Sequence, residues 1–134
     1  MKHKILVVDD EPEIRRTIGL QLENSIYDVV EAEDGEKAIE VLSGENILEV
    51  KVIICDVRMP KLNGIDAVAY FRENYPSIPV LVLTGYPDMQ LAVDFMKEGV
   101  IDYLVKPVEK DKLIEAVTKA ARQHAIFGGA EAKV

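Results

Sequence analysis

The sequence predicts a doubly wound α/β fold, in which helices cover both faces of a parallel sheet. Two observations lead to this prediction: short apolar runs alternate with helical patterns five times, and three of the runs contain no charged residue. Uncharged runs are typical of strands covered on both faces, and strand–helix alternation is typical of parallel sheets. With 134 residues, the chain has the length of one such domain.

The order of the strands follows from their residue types. Runs rich in β-branched residues at 5–8, 52–55 and 80–83 are expected in the centre of the sheet. The runs at 28–32 and 102–105 contain charges that a doubly covered strand would exclude, so we expect them at the edges. Because successive strands tend to be neighbours joined by right-handed crossovers, the predicted order is 2-1-3-4-5, a flavodoxin-like (βα)5 sheet.

Five helical patterns follow the strands, and each offers one apolar stripe to a sheet face. The stripes are Ile14, Ile18 and Leu22; Ala38, Ile39 and Leu42; Ile65, Val68 and Ala69; Leu91, Ala92, Phe95 and Met96; and Leu113, Val117, Ala120 and Ala121. Residues 127–134 show no periodicity, so we expect a flexible tail or linker stub after a domain of residues 1–126.

Composition excludes several classes of protein. Sixteen basic against 24 acidic residues give a net charge of −8, so we expect no direct binding to nucleic acid. No apolar run approaches the ~18 residues of a membrane span, and we expect no membrane association. Cys55 has no partner for a disulfide, which favours a reducing, cytoplasmic location. His3 and His124 are expected to be exposed to solvent near the chain ends.

Three acidic residues follow or end the first and third predicted strands: Asp9, Asp10 and Asp56. These strands are neighbours in the predicted order, and neighbouring strands lie ~4.8 Å apart. At ~5 Å separation and an effective dielectric constant of ~20, each carboxylate pair repels by about 3 kcal/mol. The cluster therefore predicts protonation or a bound cation, and an all-oxygen donor set suits Mg²⁺.

The fourth and fifth strands add a hydroxyl and an ammonium to the same edge, from Thr84 and Lys106. Carboxylates, a divalent cation and a fixed positive charge together suit a phosphoryl group, with a carboxylate as nucleophile. Each residue alone has a plainer interpretation: Asp9 and Asp10 can cap a helix, Thr84 can bond to backbone, and Asp56 can begin a turn. Their shared edge favours the functional interpretation.

Four segments, read together, resemble the receiver domain of two-component response regulators. They are Val7-Val8-Asp9-Asp10-Glu11-Pro12; Asp56-Val57-Arg58-Met59-Pro60 with Gly64; Leu83-Thr84-Gly85; and Asp102-Tyr103-Leu104-Val105-Lys106-Pro107. Each segment is a weak signal alone, but four in order at successive strand ends are highly specific. The resemblance covers residues 4–124.

The resemblance implies a signalling module that takes a phosphoryl group from a sensor histidine kinase onto Asp56. It also implies Mg²⁺ bound directly by Asp10 and Asp56, through a water by Asp9, and by the backbone carbonyl of Arg58. Thr84 and Lys106 would then contact the phosphoryl oxygens, and the switch residues would be Thr84, Tyr103 and Pro107, which follows a cis bond. The implied output surface comprises the fourth helix, fifth strand and fifth helix, which a downstream effector or a second copy of the chain would contact.

Two residues of the motifs depart from the familiar receiver pattern, and two other functions are compatible with parts of the site. Bulky Arg58 and Tyr86 stand two residues beyond Asp56 and Thr84, and we expect them to lengthen the life of the phosphorylated state by obstructing water. One rival is an aspartate-nucleophile phosphatase of the haloacid dehalogenase type, but that class spaces its two aspartates two apart, whereas Asp9 and Asp10 are adjacent. The other rival is a receiver-like binding module that never takes phosphate.

Overall fold

The chain alternates strands and helices throughout the part that the computed structural model describes, residues 3–44, 49–57, 64–85 and 88–133. The elements in order are β1 His3–Val8, α1 Pro12–Gln21, β2 Tyr27–Ala32, α2 Gly35–Leu42, β3 Val50–Asp56, α3 Gly64–Asn74, β4 Val80–Thr84, α4 Met89–Lys97, β5 Asp102–Val105 and α5 Lys110–Lys133. Among the described residues, no helix is both long and apolar enough to cross a membrane.

The strands form one parallel sheet in the order β2-β1-β3-β4-β5, which confirms the predicted topology. Register pairs Val8 with Cys55, so the residues that follow these positions, Asp9 and Asp56, lie side by side. Thr84 pairs with Val105 at the end of the next pair of strands. The winding direction reverses between β1 and β3, where open α/β sheets bind ligands.

Each face of the sheet is covered by its own helices. Side chains of α1 and α5, including Ile18 and Leu113, pack with alternate strand residues on one face. On the other face, α2, α3 and α4 contribute Leu42, Phe71 and Phe95 to a second cluster. Because the central strands are apolar on both faces, their backbone is held rigidly, and this fixes the positions of the residues at the strand ends.

Three helices differ from expectation. In α3, Ile65 and Ala69 were expected on the sheet face, but Ile65 is 50% exposed and Ala69 is exposed, because the helix buries Ala67, Val68 and Phe71 instead. The backbone of α5 continues to Lys133, so residues 127–133 are helical where an irregular tail was expected. Two glycines there cost about 1 kcal/mol each relative to alanine, but alanine, glutamate and lysine around them are strong helix formers. In α4, Met96 was expected in the core and is 51% exposed, because the helix buries Phe95 as its contact with the sheet.

Candidate functional site

Two buried carboxylates lie at the carboxyl edge of the sheet, at the crevice between β1 and β3. Asp9 is fully buried and Asp56 is 2% exposed, whereas Asp10 and Glu11 are exposed. Carboxylate oxygens of these four residues lie within 4.8 Å of one another. The predicted convergence of Asp9, Asp10 and Asp56 is therefore present, and Glu11 joins them.

Lys106 extends into this acidic cluster from the end of β5. Its Nζ lies 2.9 Å from Asp9 Oδ2, 2.9 Å from Glu11 Oε1 and 3.6 Å from Asp56 Oδ2. The backbone supports this position, since the Lys106 amide donates to the Thr84 carbonyl at 2.7 Å and the bond to Pro107 is cis, as expected. One ammonium thus faces three carboxylates.

The charge balance of the cluster affects the pKa of both partners. Burial raises the pKa of Asp9 above its usual range, although the Glu11 amide and the Lys106 ammonium act to lower it. Burial alone would lower the pKa of Lys106, but the carboxylates of Asp9, Glu11 and Asp56 raise it above its ordinary value. Lys106 is therefore a fixed positive charge that Asp9, Glu11 and Asp56 share.

Asp9 is held by neighbours that the sequence reasoning did not identify. The Glu11 amide donates to Asp9 Oδ1 at 2.8 Å, and Arg15 Nη1 donates to the Asp9 carbonyl at 2.6 Å. The other side of the Arg15 guanidinium pairs with Glu31 on β2, with Nε 2.9 Å from Oε1. Glu11 precedes α1 and Arg15 lies in its first turns, where charged residues usually face solvent. The sequence therefore gives little sign that both residues contact Asp9, apart from the expected turn after Asp9.

Thr84 and Tyr103 lie on the two strands beside this cluster. Thr84 ends β4 and is 1% exposed, so its position at the same sheet edge agrees with the prediction. Tyr103 is half-buried against the core beneath α2, α3 and α4. Its hydroxyl accepts a hydrogen bond from the Asp88 amide at 3.2 Å, and the Asp88 side chain caps α4 by accepting from Leu91 N. The aromatic ring is thus linked to the start of α4.

The chemistry of the donor set fits a hard divalent cation. The acidic cluster of Asp9, Asp10, Glu11 and Asp56 offers carboxylate oxygens, and two of these residues, Asp9 and Asp56, are buried. Mg²⁺ prefers oxygen ligands and retains waters, so it needs few protein groups. Arg58 and Tyr86, for which roles were predicted, lie outside the described residues.

The fold and this site define a protein of the receiver type, and comparison with known proteins identifies its family. The model of the response regulator receiver domain matches residues 5–118, so the chain belongs to that family. A response regulator receiver domain from Clostridium thermocellum superposes with a TM-score of 0.85 at 34% identity, covering 93% of this chain and 98% of that one.

Relatives of known role are longer proteins. The chain is 37% identical over 128 residues to the transcriptional regulatory protein GlrR of Escherichia coli, which covers 93% of this chain and 28% of GlrR. It is 34% identical over 122 residues to the transcriptional regulatory protein FixJ of Bradyrhizobium diazoefficiens, covering 91% of this chain and 58% of FixJ. The chain therefore spans less than two thirds of the length of either relative.

Proposed function

We propose that Asp56 accepts a phosphoryl group from a phosphohistidine of a sensor kinase and that the chain acts as a switch, with no turnover of external substrates. The observation that supports this most directly is a buried carboxylate at the strand crossover, beside a second buried acid and 3.6 Å from an ammonium. An Asp56 oxygen attacks phosphorus, the phosphorus–nitrogen bond of the donor breaks, and the donor imidazole leaves with the bonding electrons.

The positions of the Lys106 contacts suit this transfer. Lys106 lies nearer to Asp9 and Glu11 than to Asp56. Its positive charge is therefore present at the site, but its shortest contacts are not with the proposed acceptor Asp56. When Asp56 carries a phosphoryl group, the ammonium can neutralise a phosphoryl oxygen, and Thr84 lies at the same edge to donate its hydroxyl. Thr84 ends β4 and Lys106 follows β5, so both groups lie at the carboxyl edge of the sheet.

Mg²⁺ is the proposed cofactor, held by Asp9, Asp10 and Asp56, with the backbone carbonyl of Arg58 as a further ligand. When bound, it would neutralise oxygen charge on the transferring group. The chain's own contribution is to keep Asp9 in place through the Glu11 amide and to supply the Lys106 charge.

The proposed output is a change on the surface formed by α4, β5 and α5. Phosphorylation would draw Thr84 towards the phosphoryl group, and Tyr103 would move with it, with Pro107 holding the turn after Lys106. Since the Tyr103 hydroxyl bonds to the Asp88 amide, this motion would reach the first turn of α4. The phosphoryl group would favour one of two conformers that already exist in the unphosphorylated protein. The proposed readers of this surface are a downstream effector or a second copy of the chain, in the cytoplasm and without direct contact to nucleic acid or membrane.

Incubation with acetyl phosphate and Mg²⁺ tests the proposal. Intact-mass measurement should show a gain of one phosphoryl group that is labile to hydroxylamine. The gain should be lost in Asp56→Asn and kept in Asp111→Asn, an exposed aspartate in the first turn of α5. A mass gain that survives Asp56→Asn would contradict the assignment of Asp56 as the acceptor. No mass gain in any variant would favour the receiver-like binding module that never takes phosphate.

Steady hydrolysis distinguishes the phosphatase alternative. We expect no sustained release of phosphate from a phosphomonoester such as p-nitrophenyl phosphate. Multiple turnovers that persist in Asp56→Asn would favour an enzyme over a switch.

A further inference from the structure

A second concave site lies at the opposite edge of the sheet from Asp56. It is a groove of about 450 Å³ between the starts of β1, β2 and β3 and the later turns of α5. His3 begins β1, and a six-residue strand spans roughly 20 Å, so the groove and the acidic cluster occupy separate ends of the sheet. Pockets for small ligands are typically about 300–1,000 Å³, and the groove falls in that range.

The groove is mainly apolar inside. Tyr27 forms part of its wall and is fixed by an edge-to-face contact with His3, at a ring-centroid distance of 6.4 Å. Ala121 from α5 faces the same space, and Ile26, which is 71% exposed, lies at the rim. An exposed isoleucine beside an ordered tyrosine offers an apolar surface to a ligand.

Cationic and imidazole groups surround this apolar surface. His3 and Lys51 contribute from β1 and β3, and Arg122 and His124 contribute from α5. Lys51 and His124 line the same groove, and burial together with the Lys51 ammonium lowers the pKa of His124. The chain carries a net charge of −8, which makes this grouping opposite in sign to the molecule as a whole.

We propose that this groove binds a small organic anion with an apolar body, which places its carboxylate, sulfonate or phosphate near Lys51 and Arg122 and its apolar part against Tyr27. The apolar wall alone would suit any apolar ligand, and the cations alone would suit any anion. The two together favour a ligand that is both apolar and anionic. His3 and His124 were expected to be exposed to solvent, yet both are half-buried here and line the groove. The site is independent of Asp56 chemistry.

Titration with anilinonaphthalene sulfonate, followed by its fluorescence, tests the proposal. We expect saturable binding that weakens about threefold in Lys51→Gln and in Arg122→Gln and about tenfold in the double variant, because each removes one charge contact near the surface. Lys119→Gln, on an exposed part of α5 that does not line the groove, serves as the matched control and should bind as the wild type does. Amide NMR spectra of the variants verify that each is folded.

Two further experiments identify the chemical class of the ligand and the place where it binds. Decanoate and adenosine monophosphate are used as competitors, and displacement by one of them assigns an acyl anion or a nucleotide. Amide shifts should concentrate in Tyr27, Lys51 and residues 118–124. Equal affinity in all variants, equal binding of the neutral phenylnaphthylamine, or shifts centred on α4 and β5 would each overturn the proposal.

Discussion

Lys106 determines how much negative charge the candidate site presents. Its ammonium is shared among carboxylates from two parts of the chain, Asp9 and Glu11 on one side and Asp56 on the other, and its side chain is only 12% exposed. A cation in this position competes with a metal ion for the same acids, since both are attracted by the same oxygens. Lys106 thus gives the acidic cluster a cationic partner from the chain itself, with which a bound metal ion would have to compete.

Replacing Lys106 by methionine should separate these two roles. Removing one partner of a buried ion pair leaves the acids uncompensated, and we expect the free energy of unfolding to fall by about 3 kcal/mol. Mg²⁺ should restore more stability to Lys106→Met than to the wild type, because the competing cation is gone. Urea unfolding with and without Mg²⁺ measures both effects.

Lys112→Met, in an exposed position of α5, is the control for the loss of a lysine. It should change stability by less than about 0.5 kcal/mol. If Mg²⁺ stabilised the wild type and Lys106→Met equally, Lys106 and the metal would not share ligands.

At the scale of elements, the end of α4 depends on a contact with α3. Gly99 follows α4 with a φ of +93°, a conformation that side chains with a Cβ rarely adopt. Arg72 of α3 lies over it, and Arg72 Nε donates to the carbonyl of Glu98 at 3.2 Å. A Cβ on Gly99 would lie 3.0 Å from Arg72 Nη2. The glycine therefore serves both the turn and the close approach of the guanidinium.

Gly99→Ala should destabilise the protein by about 1–2 kcal/mol, from the left-handed φ and the displaced guanidinium. Gly19→Ala offers the opposite case in the same chain, because its Cβ would meet nothing within 4 Å and it lies inside α1. That variant should gain about 0.5–1 kcal/mol. Thermal unfolding measures the stability of both variants and of the double variant Gly99→Ala with Arg72→Ala. The double variant shows how much of the cost of Gly99→Ala comes from the clash with Arg72. A fully additive double variant would show that Arg72 does not contribute to the cost.

Elements were easier to predict than contacts between them. The strand order followed from which apolar runs lack charge, and Asp56 ends β3 as expected. Glu11 was missed because an acid at the start of a helix usually faces water, and its pairing with Lys106 spans 95 positions. Such long-range side-chain contacts depend on how strand ends meet in space, which periodicity does not report. The exposure of Met96 has a different cause: an apolar stripe does not fix which side of α4 packs on the sheet, and the helix buries Phe95.

For the molecule as a whole, the two ends of the sheet and the α4 side have different surfaces. The acidic cluster lies at the carboxyl edge of the sheet. The groove lined by Tyr27, Lys51 and Arg122 lies at the amino edge. Between them, α4 and β5 expose four apolar side chains: Met89 at 85%, Val93 at 43%, Met96 at 51% and Val105 at 44%. Tyr103 and Asp88 connect this apolar surface to the strand that carries Lys106. We propose that a charge change at Asp56 alters this apolar surface through Thr84 and Tyr103.

Phosphorylation should consequently promote self-association through α4 and β5. With Mg²⁺ and beryllofluoride, which mimics the phosphoryl group, we expect sedimentation to show a concentration-dependent dimer, because an aligned apolar surface lowers the free energy of association. A stable interface needs roughly 1,200–2,000 Å² of buried surface, so the exposed part of α5 would also take part. Val93→Glu should prevent the dimer by placing a charge in its centre. Leu20→Glu, which alters a leucine of α1 that is 61% exposed, should leave it intact. Loss of the dimer in Leu20→Glu alone would place the interface on α1, and a monomer under every condition would leave an effector protein as the reader of this surface.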